Sequence, residues 1–284
     1  LASILALSAN VGQVHIGKGR GELTVATLTH PSGATAEVYL HGAHVTSWRP
    51  ADGVERLFVS SASRYAAGKA IRGGIPVCFP QFSGRGPLPN HGFARTSSGW
   101  QVESMTSDGP SGEVCLVLSL SDSDESRAVW PHAFELRYTV TLHDASLSTD
   151  VQLRNAGDEP LEFTAALHTY LATPSVGSAA VAGLAGLRYE DNAAGGEIRT
   201  ELAEEVLLRG EVDRVYLDAP DLLHLRHAGP AVELTKHNLR DVVLWNIGAD
   251  KAAAMADLGP GEWERYVCLE AGAVGSAVRV LPGD

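Results

Sequence analysis

The stretch Phe134–Arg154, FELRYTVTLHDASLSTDVQLR, alternates from end to end. Phe134, Leu136, Tyr138, Val140 and Leu142 take one face, and charged or hydroxyl groups take the other. A period of two marks a strand with one face buried. Leu147–Arg154 resumes the alternation after the polar residues His143–Ser146, so the two runs predict a hairpin.

Similar short runs lie on both sides of this hairpin. Toward the N-terminus they are Leu23–Leu28, Ala36–Leu40, Val45–Trp48, Leu57–Val59, Trp100–Met105 and Val114–Leu120. Toward the C-terminus they are Leu161–Ala172, Val215–Leu217, Leu222–Arg226, Val232–Thr235, Val242–Trp245, Trp263–Leu269 and Ala277–Leu281. Helical signals are sparse: a brief helix capped by Ser61 or Ser63 and running to Ala70, and a turn or two at Asp250–Ala256. Ser121–Ser126 reads as a polar turn and Gly183–Gly196 as a glycine-rich loop. Glu201–Arg209 fits strand or helix. Many short strands with regular turn signals and no fixed repeat predict an all-β fold, one large antiparallel β-sandwich with few short helices. Composition shifts nowhere enough to mark a boundary. The expected organisation is one domain over residues 1–284, with residues 1–20 as an N-terminal extension or edge segment.

The chain carries 34 acidic residues against 22 Lys plus Arg, a net charge of -12. That balance argues against a nucleic-acid partner. No apolar run is long enough to span a bilayer. Cys78, Cys115 and Cys268 are widely spaced and form no CxxC pair, which points to a reducing compartment. LASILALSANVG is a poor signal peptide. Cytoplasm is the expected location and a chloroplast the alternative; the expected state is a monomer.

Ile71–Arg95, IRGGIPVCFPQFSGRGPLPNHGFAR, is too rich in Gly and Pro for a regular element, yet too apolar for a free linker. No Asp or Glu occurs from Arg56 to Val102, while Arg56, Arg64, Lys69, Arg72, Arg85 and Arg95 all fall there. Such a basic island suits an anion, since the guanidinium fork matches phosphate oxygens. Equally, these arginines pair with acids elsewhere on a solvated surface.

Two further residues carry chemistry. In EFTAALHTY, alternation puts His168 on one face with Thr164, Ala166 and Tyr170, facing either a ligand or the core. In WERYVCLE, Tyr266, Cys268 and Glu270 share a face. Glu270 closes an apolar run and is either partly desolvated or a solvated strand end. An imidazole and a carboxylate that face one another make an acid/base pair. Asp213 and Asp241 are further carboxylates in ordered surroundings. His41/His44 and His224/His227 have a spacing that sends strand side chains to opposite faces, so no metal is expected. GxSxG, P-loop and GxGxxG motifs are absent, and Cys78 reads as a core thiol.

RGGIPVCFPQF, LPNHGFAR, LHTYL, VDRVY, VVLWN and VCLEAG occur in that order. Together they resemble the hexose-6-phosphate mutarotases, the glucose-6-phosphate 1-epimerases of the aldose 1-epimerase superfamily. The resemblance runs from about Gly21 to Leu281, and CFPQFS looks closest to plant and algal members. It implies a galactose-mutarotase-like supersandwich that interconverts α and β anomers of a sugar phosphate without cofactor or metal. It implies His168 and Glu270 as the catalytic pair. Arg72, Arg95 and Asp213 match substrate-binding positions, with Asn90 and His91 in the same loop. The chain departs from many relatives at Asn90, where they have Gln, and at Trp245-Asn246-Ile247-Gly248, where they have Trp-Asn-Pro-Trp. The rival expectations are a mutarotase for unphosphorylated aldoses, a non-catalytic sugar-binding protein, and last a glycosidase or lyase, which normally needs two carboxylates.

Overall fold

The structure, a computed structural model, describes residues 11–107 and 112–284. Its strands form four sheets. The N-terminal sheet runs Gln13–Lys18, Thr24–Thr29, Thr35–Tyr39 and His44–Arg49, each strand pairing antiparallel with the next. Of the predicted extension at residues 1–20, Gln13–Lys18 is therefore an edge strand; the LASILALSAN part lies outside the described residues.

The predicted hairpin forms as Phe134–Leu142 and Leu147–Asn155, beside Val114–Ser121 and Gln101–Thr106. Phe134, Leu136, Tyr138, Val140 and Leu142 are all buried, as the alternation requires. Their face joins a core that also takes Val77, Phe79, Leu167, Leu244 and Leu269. A small sheet holds Glu205–Leu207, Ala180–Ala182, Leu222–Arg226 and Val232–Thr235.

The central sheet has eight strands. Its order is Glu197–Thr200, Arg188–Asp191, Val212–Tyr216, Asp241–Asn246, Tyr266–Val280, Leu161–Leu167 and Val77–Cys78, with Tyr170–Ala172 also on Tyr266–Val280. The two C-terminal runs are thus one strand of 15 residues, and Glu270 lies inside it, not at an end. Ala271, Gly272 and Ala273 are small enough to pass close to Leu167, Ala166 and Ala165.

Other local expectations differ for identifiable reasons. No helix forms at 61–70, because the serines bond elsewhere. The Ser61 N–H donates to Glu262 Oε1 at 3.0 Å, and Ser63 Oγ accepts from the Arg72 N–H at 2.7 Å. The polar turn leads into a helix at Asp124–Val129, capped reciprocally by Ser123 and Ser126. A serine at the third helical position does the work usually given to Glu or Gln. Within Gly183–Gly196, Arg188–Asp191 pairs with Val212–Tyr216. The second helix is Gly248–Ala252.

The loop Ile71–Arg95 is stitched to the sheets by its backbone. Gly74 N–H donates to Phe58 O at 2.7 Å, Ile75 N–H to Val45 O at 2.9 Å, and Phe93 N–H to Phe79 O at 3.0 Å. In return His168 N–H donates to Pro76 O at 3.0 Å. Gly73 and Gly74 make this approach possible, at φ of 112° and 64°. A Cβ on Gly74 would lie 2.1 Å from Val45 O, and one on Gly73 would lie 2.2 Å from Phe58 O. Gly74→Ala should therefore cost about 2 kcal/mol or more, from left-handed strain plus the backbone clash. Urea denaturation checks this; an unchanged midpoint would show that the loop shifts freely.

Candidate active site

Strand register brings His168 and Glu270 together. Leu167 pairs with Ala271, and Tyr170 pairs with Cys268. The two residues between, His168 and Thr169, lie opposite Glu270 and Leu269. The imidazole is thus the cross-strand neighbour of the carboxylate, at a spacing where side chains touch. His168 Nδ1 lies 3.2 Å from Glu270 Oε1. The two atoms are not aligned as a hydrogen bond. His168 Nδ1 and Glu270 Oε2 are buried and have no hydrogen-bond partner among the described residues. Only 6% of His168 and 1% of Glu270 is exposed, so these are costly orphans.

Aromatic rings fix the imidazole. Tyr170 stacks on it almost parallel, with centroids 4.8 Å apart and planes 7° apart. Trp245 meets it edge-on at 5.6 Å, and His91 at 5.3 Å. His91 sits at φ 65°, and its Nδ1 accepts from the Ser83 N–H at 3.3 Å.

Burial pushes the Glu270 carboxyl well above its ordinary range, and the nearby Asp213 charge adds to this. Burial likewise pushes His168 well below the ordinary imidazole value, helped by His91, Arg72 and Arg95. Both shifts favour uncharged partners. A carboxylic acid beside a neutral imidazole is the arrangement that both directions favour, and it leaves one proton on Glu270. Burial, then Arg95 and Arg72, lower His91 to about 3.

Arg72 is braced on two sides. Its Nε and Nη2 donate to Asp257 Oδ2 at 3.3 and 3.1 Å, and its Nη1 donates to the Tyr170 hydroxyl at 3.0 Å. A guanidinium has five N–H groups, so two remain uncommitted, one on each terminal nitrogen. Arg95 forms no ion pair among the described residues. Its Nη2 donates to Asn90 O at 2.9 Å, and its Nε is buried without a partner. Asn90 is exposed at the turn. Asp213 is half-buried and accepts from Asn192 Nδ2 at 2.8 Å; burial raises its carboxyl.

The basic island is therefore divided. Arg56 pairs with Asp52, Arg72 with Asp257 and Arg85 with Glu190, as the surface reading expected. Arg95 keeps the other reading. Asp241 proves structural, accepting the N–H groups of Val274 and Gly275 at 2.9 and 2.8 Å. His41 and His44 hold the loop through Lys69 O and Gly73 O, each at 2.7 Å.

Sequence spacing put Cys268 on the Glu270 face but could not bring it to His168, and it gave no sign of Trp245 beside the imidazole or of Asp257 on Arg72. Cys268 offers a sulfur within 4.8 Å of ligand atoms of His168 and Glu270, a grouping made across strands. Burial pushes its thiol well above the ordinary range, and a metal would have to expel the thiol proton. A separate open cleft of about 1250 Å³, lined by Arg20, Tyr39, Tyr65 and Glu262 among others, contains none of these residues.

This architecture is that of a mutarotase-type sandwich. The aldose 1-epimerase family model matches residues 24–284. A Cenchrus ciliaris protein described as a candidate glucose-6-phosphate 1-epimerase is 37% identical over 257 residues, covering 88% of this chain and 78% of that one. An Escherichia coli K12 protein with the same description is 32% identical over 259 residues, covering 88% and 83%. The crystal structure of a candidate mutarotase from Salmonella typhimurium superposes with a TM-score of 0.84 at 26% identity, covering 95% of this chain and 89% of that one. A galactose mutarotase-like protein from Clostridium acetobutylicum shares the fold, with a TM-score of 0.75 at 15% identity over 96% of each chain. The chain belongs to the aldose 1-epimerase family and is an epimerase-type isomerase.

A raised carboxyl has a stability consequence. Above pH 4.5, the ordinary carboxyl value, the unfolded chain ionises Glu270 while the folded chain keeps the proton, so native stability falls as pH rises toward the folded value. Glu270→Gln removes that cost. Its Tm should exceed that of the wild type by a margin that widens as pH rises from 4.5 to about 7. A margin independent of pH would show that Glu270 is ionised in the folded protein.

Proposed function

We propose that this protein interconverts the α and β anomers of a hexose 6-phosphate, with glucose 6-phosphate as the favoured substrate. The observation that carries this reading is the buried His168–Glu270 pair beside the uncommitted N–H groups of Arg72 and Arg95.

Anomer exchange needs the pyranose ring to open and close. Opening takes a proton from the O1 hydroxyl and gives one to the ring oxygen as the C1–O5 bond breaks. In this reading the mobile proton first passes from Glu270 to His168 Nδ1. The resulting carboxylate takes the O1 proton. Nε2–H of the imidazolium protonates O5. A C1 aldehyde is left, with a carboxylic acid and a neutral imidazole, so the pair ends with the one proton it began with. Rotation about C1–C2 and closure on the other face reverse the transfers. Tyr170 and Trp245 hold the imidazole plane while this happens.

Asp213, Asn90 and His91 line the sugar side in this account, and Arg72 and Arg95 hold the 6-phosphate by charge-assisted bonds. A mutarotase for unphosphorylated aldoses is the second reading. Asp257 on Arg72 and Glu190 on Arg85 favour it, because they already neutralise two of the guanidinium groups.

No described helix is long and apolar enough to cross a membrane. The free thiols Cys78, Cys115 and Cys268 suit the cytosol or a chloroplast in this reading.

NMR exchange measurements on glucose 6-phosphate and on glucose separate the two readings. His168→Ala and Glu270→Gln should each lower kcat by roughly 10²–10⁴ with the fold intact. Arg72→Ala should raise KM for glucose 6-phosphate by roughly tenfold or more, the worth of charge-assisted bonds, and leave glucose unaffected. Full activity in Glu270→Gln would remove the assigned base. Equal effects of Arg72→Ala on both sugars would remove the phosphate role.

A further inference from the structure

Arg72 and the acid/base pair are physically joined. The Arg72 Nη1 donates to the Tyr170 hydroxyl at 3.0 Å, and the Tyr170 ring lies flat against the His168 imidazole, 4.8 Å between centroids. Tyr170, the middle of this link, is 1% exposed, so water does not loosen the contact between its ring and the imidazole. On the far side, Asp257 from the segment after the second helix grips the same guanidinium through two nitrogens. A group that binds the two remaining N–H positions thus presses on a rigid chain of contacts ending at the imidazole.

Charge runs along the same path. The mechanism needs His168 to become a cation, yet Arg72, Arg95 and His91 oppose that in the free protein. An anion on the two arginines cancels much of this opposition. The reacting atoms are C1, O1 and O5, and the 6-phosphate is remote from them. Binding energy from a remote group raises kcat when it is spent at the reacting centre.

We propose that the anion site at Arg72 and Arg95 is an activating site: phosphite dianion bound there, attached to no sugar, accelerates anomer exchange of a truncated aldose at His168 and Glu270. The inference rests on the phosphosugar reading above and goes beyond it. Under it the phosphate is part of the catalyst's switch as well as a handle. Xylose is the suitable truncated substrate, since it is glucose without the C6 hydroxymethyl group and leaves room for a separate anion.

The test is anomer exchange of xylose by NMR with the full chain, as sodium phosphite is raised at constant ionic strength. Blanks with phosphite and no protein remove buffer catalysis. The expected result is a saturable rise in the protein-dependent rate by roughly tenfold, the size carried by one charge-assisted interaction. In the same concentration range phosphite should inhibit glucose 6-phosphate turnover, because both occupy one site. Opposite signs on the two substrates are the signature. Tyr170→Phe, which keeps the stacked ring and loses the hydroxyl, should lower the ratio of activated to unactivated xylose rates. Asp257→Asn reads the same ratio from the partly exposed side of the guanidinium, should Tyr170→Phe fail to fold. Inhibition of both substrates by phosphite, or no effect on xylose, would overturn the activation. Should the wild-type protein fail to turn over glucose 6-phosphate at all, the phosphosugar reading falls and this inference with it. Turnover of glucose 6-phosphate without activation of xylose sinks this inference alone.

Discussion

The enclosure of two titratable groups against one another is the constraint on which the rest of this structure depends. An ionised carboxylate and an imidazolium both lose hydration when enclosed, and the pair at His168 and Glu270 is almost wholly enclosed. Neutral partners avoid most of that cost. They also leave the site ready to react, because one short transfer makes a base and an acid together. Around the pair, the sheets supply its register, the aromatic rings its orientation and the glycine-rich loop its lid of backbone and guanidinium groups.

The fold serves this pair through ordinary β-sheet geometry. Period-two alternation packs one face of the hairpin sheet into the core and leaves the central sheet to carry the buried His168–Glu270 pair. A pause in pairing between Leu167 and Tyr170 lets the His168 and Tyr170 N–H groups donate to Pro76 and Gly74 of the neighbouring loop without losing register with Glu270. Gly73 and Gly74 let that loop come within backbone contact. Three distant segments therefore converge on His168 and Glu270.

Much of this was legible in the residues. Alternation in Phe134–Leu142 marked both strand and buried face, and the face shared by Tyr266, Cys268 and Glu270 was visible from spacing. Pairing across strands was not, because it depends on register between segments about a hundred residues apart. For that reason Asp257 on Arg72, the approach of Cys268 to His168 and the edge of Trp245 on the imidazole could not be read from spacing. The resemblance named His168 and Glu270, but the chemical state of the pair follows only from burial. Local misreadings had local causes: the Ser61 N–H goes to Glu262 and the Ser63 hydroxyl accepts from Arg72, so no helix follows them. Small residues at Ala271–Ala273 let two apparent strands fuse into one.

The most direct probe of the central claim is the ¹⁵N NMR spectrum of the His168 side chain at about pH 7, assigned by comparison with His168→Ala. A neutral imidazole in the free protein that turns cationic when glucose 6-phosphate binds is the predicted result. An imidazolium already present in the free protein would mean that the pair rests as ions, and the account of a proton waiting on Glu270 would be contradicted.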